Sequence, residues 1–100
     1  MGKYVYIYYS GKDSAEGGSN EAWGTWFEKL GSKLIDGGNP FAAGGQAVHA
    51  GGKMDIQGPV ATGYSIIEAA SIDEATEMAK GCPLMDSEDS AVGVYEALPM

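Results

Sequence analysis

One hundred residues suffice for one hydrophobic core and not for two, so the chain reads as a single domain over 1–100. Its 14 acidic residues outnumber 6 basic ones, none of them arginine, giving a net charge of −8; without guanidinium forks to grip phosphate, nucleic acid and anionic membranes are excluded as expected partners. The lone cysteine, Cys82, permits no intrachain disulfide, and no run of 18 apolar residues occurs, so the expected setting is the cytoplasm.

The opening run Lys3-Tyr4-Val5-Tyr6-Ile7-Tyr8-Tyr9 is a strand by composition, and alternation puts Val5, Ile7 and Tyr9 on one face and Tyr4, Tyr6 and Tyr8 on the other. Both faces are large and mostly apolar, so each needs a cover. A small glycine-rich loop follows and ends at Ser19 or Asn20, either able to cap a helix. The spacing of Trp23, Trp26, Phe27, Leu30 and Leu34 predicts an amphipathic helix over 21–35. Gly24 and Gly31 each weaken it by about 1 kcal/mol, so burial of its aromatic side must hold it. Asp36-Gly37-Gly38-Asn39-Pro40 stops it.

Between 41 and 58 the chain is glycine-rich and poor in large aliphatics. The local pattern predicts a hairpin with arms at 46–50 and 53–57 around a Gly51-Gly52 turn. A further strand is expected over 63–69, centred on Tyr64-Ser65-Ile66-Ile67-Glu68. Ser71-Ile72-Asp73-Glu74 has the capping-box spacing and predicts a second helix that stops at Gly81, before Pro83. A last strand is expected over 91–97.

This order of elements is that of an α+β domain of ferredoxin-like βαββαβ type, an antiparallel sheet with two helices on one face. The other face is left bare. Three tyrosine rings of about 150–250 Å² each are worth on the order of 10 kcal/mol when buried, so the Tyr4–Tyr6–Tyr8 face is the expected seam of a homodimer packed sheet to sheet.

The stretches Asp36-Gly37-Gly38-Asn39-Pro40-Phe41, Gly58-Pro59, Gly63-Tyr64-Ser65-Ile66-Ile67-Glu68-Ala69, Ser71-Ile72-Asp73-Glu74-Ala75 and Val92-Gly93-Val94-Tyr95-Glu96 together resemble the YCII-related family. Within it they are most similar to the branch with an Asp-Gly-Pro-Phe (DGPF) signature. The resemblance implies a dimeric α/β barrel of ferredoxin-like subunits. It also implies a range of roles, since some members look like dehydrochlorinase or isomerase-type enzymes with a His and Asp pair, and others accompany sigma factors. The chain departs from the signature, reading Gln57-Gly58-Pro59-Val60, and it has no histidine in the loop after the first strand.

His49 is the only histidine, hence the only side chain with an ordinary pKa near neutrality. On the predicted hairpin it pairs with Met54 while Val48 pairs with Asp55, which leaves His49 and Asp55 diagonal; a bulge would be needed to make them an acid/base dyad. No metal-ligand spacing and no phosphate loop is present, and no cofactor is implied. The aromatic residues point instead to a pocket for a small organic molecule, lined by Tyr6, Tyr8, Trp23 and Tyr64. The expected function is therefore that of a small homodimeric binding protein. The alternatives are a lyase or isomerase using His49 with Asp55, and an interaction module associated with transcription regulation.

Overall fold

A computed structural model describes residues 2–10, 20–42, 45–55, 60–86 and 90–99, with all of their side chains except those of Ser10, Asn20, Met54, Asp55 and Asp86. The glycine-rich first loop with Ser19, and Ile56-Gln57-Gly58-Pro59, lie outside the described residues. In chain order the elements are β1 (Gly2–Ser10), α1 (Asn20–Leu30), β2 (Leu34–Asp36), β3 (Gln46–His49), β4 (Gly52–Asp55), β5 (Val60–Ala69), α2 (Ile72–Ala79) and β6 (Ala91–Ala97), with single 3-10 turns at Gly31–Lys33 and Pro83–Asp86. The fold is mixed α+β. Four strands form one antiparallel sheet in the order β2-β5-β1-β6, and β3 and β4 form a separate hairpin.

β1 and β5 are the two central strands, each alternating buried with partly buried residues. The β1 tyrosines, however, are not on the bare side. Tyr4, Tyr6 and Tyr8 are 4%, 0% and 5% exposed and form the core with Trp26, Leu30, Ile67, Ala75 and Leu84. This corrects the expected dimer seam: the tyrosine face is the one covered by the chain's own helices. The reason lies in what those helices offer. Trp26 of α1 stacks on the Tyr6 ring at 5.8 Å, and the Tyr6 hydroxyl donates to the Ala75 carbonyl of α2 at 2.6 Å. A phenol buried under helices thus finds both ring partners and an acceptor, as buried tyrosine requires.

The Tyr8 hydroxyl donates to Ser65 Oγ at 2.7 Å, and Ser65 Oγ donates to the Gly37 carbonyl at 2.7 Å. This relay explains why a serine sits at 0% exposure in mid-sheet. It also ties the chain after β2 to the two central strands.

α1 is shorter than its apolar spacing suggests. Gly31 takes a positive φ of 56°, the left-handed conformation that ends helices, and the chain continues through the 3-10 turn into β2. Leu34, expected on the helix, pairs instead with Ile67 in the sheet. α2 starts as its motif requires, with Ser71 Oγ accepting from the Glu74 amide at 3.1 Å. The Glu74 carboxylate accepts from the Ala70 amide and, at 2.7 Å, from the Lys33 ammonium, whose hydrogen bond holds it below its ordinary pKa. No helix among the described residues is long and apolar enough to cross a membrane.

Candidate functional site

The residues expected to line one pocket fall on two sides of the sheet. Trp23, half-buried, closes an aromatic cluster with Tyr8, Trp26 and Phe27 at centroid distances of 4.9–5.9 Å under α1. Tyr6 and Tyr8 belong to that same core, with both hydroxyls bonded internally and both pKa values raised, chiefly by burial. Tyr64 stands on the opposite face, where its ring stacks with Phe41 at 5.8 Å. Alternation separated these residues, because Tyr64 pairs with Ile7 and not with a core tyrosine.

His49 and Asp55 lie at opposite ends of the hairpin. Its turn is Ala50-Gly51, one residue earlier than the glycine pair suggested, so His49 pairs with Gly52 and Asp55 with Gln46. His49 is exposed, and its Nδ1 accepts from the Gly51 amide at 3.1 Å. Among the described residues no three His, Cys, Asp or Glu side chains converge to hold a metal.

On the helix side a groove of about 480 Å³ runs between α1 and the segment after α2, with Thr25, Lys29, Lys80 and Gly81 on its walls and Cys82 at its floor. Cys82 is 2% exposed, and burial pushes its thiol pKa up to about 11. The thiolate is the reactive form, so at pH 8 the folded chain should react with a thiol reagent such as Ellman's reagent only as fast as it unfolds. Urea should release one stoichiometric equivalent. Immediate full labelling of the native protein would show the thiol to be accessible and ionised.

The open face of the sheet is the more distinctive surface. Here Val5 pairs with Ile66 and Tyr95, Ile7 with Tyr64 and Gly93, and Tyr9 with Ala61 and Ala91. Val5, Ile7, Tyr9, Tyr64 and Ile66 are only partly buried and Tyr95 is 56% exposed. The polar feature of this face is the pair Tyr9 and Tyr95, close enough that Tyr95 raises the Tyr9 pKa. Gly93, between them in the strand, lets the rings close in: a Cβ there would lie 3.0 Å from an edge carbon of each. Opposite, Phe41 is fixed over Tyr64 by its amide, which donates to the Thr62 carbonyl at 2.8 Å, and by the Pro40–Gly63 bridge. Tyr9 was not among the expected pocket residues because the two faces of β1 are nearly equal in apolar character, and Phe41 was not because its place over Tyr64 depends on the tertiary fold.

The YCII-related domain matches residues 3–100, nearly the whole chain. The chain belongs to the YCII-related family. No curated protein matches it, and no solved structure does. This YCII-related domain thus carries two aromatic groups separated by one sheet, a dry one beneath its helices and an open one on the far side.

Proposed function

We propose that this YCII-related protein is a homodimer that binds a small, flat, largely apolar organic molecule against the open sheet face. The observation that carries the reading is that face itself, an apolar surface with a tyrosine hydroxyl pair on one flank and a stacked ring pair on the other. The strand order supports reading the subunit as ferredoxin-like: with the hairpin set aside, the remaining strands run 2-3-1-4 across an antiparallel sheet. Two such sheets packed face to face make the dimeric barrel.

The rings supply flat apolar contact, and the hydroxyl pair supplies the directional hydrogen bond that orients a ligand. Lys3 and Glu68, cross-strand partners on this face, cancel in charge, so the favoured ligand is uncharged with one hydrogen-bonding group. Neither the dry aromatic core nor the hairpin histidine offers an equivalent surface.

Native mass spectrometry of protein purified from cells at micromolar concentration tests both halves of the proposal. The expected species is two chains of 10.4 kDa with a small non-covalent adduct. Ile7→Asp, which puts a charge in the middle of the seam, should give single chains that keep their far-ultraviolet circular dichroism. A wild-type protein found only as single chains would sink the dimer, and a dimer without adduct or affinity for planar organic probes would sink the binding role.

A further inference from the structure

We propose that Tyr9 and Tyr95 form a site of oxidative modification, at which a peroxide-driven haem oxidant joins the two rings of one chain as a dityrosine. The sheet sets up the pair. Tyr9 lies opposite Ala91, four positions along β6 from Tyr95, so the two backbones are offset by about 13 Å along the strand. Their side chains close that gap over Gly93, the residue midway between. A Cβ at Gly93 would lie 3.0 Å from Tyr9 Cε2 and 3.0 Å from Tyr95 Cε2, so the two carbons are no more than twice that apart. Both are ortho to a phenol oxygen, the ring position at which a tyrosyl radical forms carbon–carbon bonds. The other tyrosines are placed differently: Tyr4, Tyr6 and Tyr8 are buried beneath the helices, and Tyr64 stacks on a phenylalanine. Tyr9 is partly buried and Tyr95 is 56% exposed, so this pair is open to an oxidant in solution.

In the reaction each phenol gives up one electron and its hydroxyl proton. The two radicals couple through a new Cε2–Cε2 bond. Each ring then releases the hydrogen of that carbon as a proton while its oxygen takes one back, which restores two phenols. Two C–H bonds are exchanged for one C–C bond, and the two electrons and two protons that leave reduce one hydrogen peroxide to two waters. Holding both rings in one sheet makes the coupling intramolecular, and proximity of this kind outruns encounter between separate chains. The product clasps the edge strand β6 to β1 and closes a loop of nearly the whole chain, a cross-link that stabilises the fold by restricting the unfolded state. The site requires neither the dimer nor the ligand of the proposed function.

The test treats the protein with hydrogen peroxide and a haem peroxidase at a dilution that keeps chains apart. The expected product is a single chain lighter by two hydrogens, with the blue fluorescence of dityrosine, whose tryptic digest contains one peptide pair joined through Tyr9 and Tyr95. The linked chain should need more urea to unfold than the untreated one. Tyr95→Phe should lower the yield of that product at least about tenfold. Gly93→Ala keeps both phenols but puts a methyl group between the ring edges; with unchanged far-ultraviolet circular dichroism it should lower the yield severalfold, which separates geometry from exposure. Links formed only between chains, links spread evenly over other tyrosines, or a Gly93→Ala yield equal to that of the wild type would overturn the proposal.

Discussion

Replacing Trp26 with alanine should lower the stability of the folded chain by about 3–5 kcal/mol, the cost of truncating a large buried aromatic. Against a typical total of about 5–15 kcal/mol for a domain, that is a large share of what keeps the chain folded. Trp26 is 3% exposed and packs at once on Tyr6, Tyr8, Trp23 and Phe27. Its indole N–H donates to the Met78 carbonyl at 3.1 Å, so it is also the bolt between α1 and α2. Urea unfolding followed by circular dichroism measures the loss. Trp26→Phe should recover much of it, keeping the ring contacts and losing the hydrogen bond at about 1 kcal/mol. If alanine cost less than about 1 kcal/mol, a typical figure for any point substitution, the aromatic cluster would not be the centre of the core.

Gly38→Ala should cost about 3 kcal/mol, combining left-handed backbone strain with overpacking. Gly38 has a φ of 74°, and a Cβ there would run into the Tyr64 carbonyl. Its amide donates to Asp36 Oδ1 at 2.8 Å, so the turn after β2 has no room to relax. Alanine one position earlier is the control: at Gly37 a Cβ would meet only Phe27 Cε2 at 3.7 Å, an ordinary contact, and Gly37→Ala should be nearly neutral. The same urea experiment separates the two, and equal losses would rule out steric closeness to Tyr64 as the cause. Because Tyr64 carries the Phe41 stack, Gly38→Ala should also reduce adduct occupancy in the native mass spectrum among molecules that remain folded.

Both substitutions bear on which side of the sheet the proposed binding would use. The helix-side aromatics are bonded and stacked to one another, and a ligand there would have to displace Trp26 or Trp23. The open-side rings lie under neither helix, and Tyr64 meets only the Phe41 ring among the described aromatic residues. A surface already complete within the subunit stabilises it, while an incomplete one is free to recognise something else.

The strands at either end of the chain, the start of α2 and the antiparallel α+β class were legible from sequence because each rests on local chemistry. The 91–97 strand has the bounds its composition predicted, and the Ser71 cap needs only a hydroxyl three residues before an amide. The presence of a bare sheet face was legible too, from two helices that can cover only one side. Which face is bare was not. Tyr4, Tyr6 and Tyr8 on one side and Val5, Ile7 and Tyr9 on the other are nearly matched in apolar weight, and a period of two assigns residues to faces without ranking them. Only the helices' contacts, Trp26 over Tyr6 and the Ala75 carbonyl at its hydroxyl, break that tie. The end of α1 at Gly31, the turn at Ala50-Gly51 and the pairing of Tyr9 with Tyr95 share the same origin. Each depends on where a distant strand or ring lies, and tertiary packing decides that where local propensity leaves the alternatives nearly equal in energy.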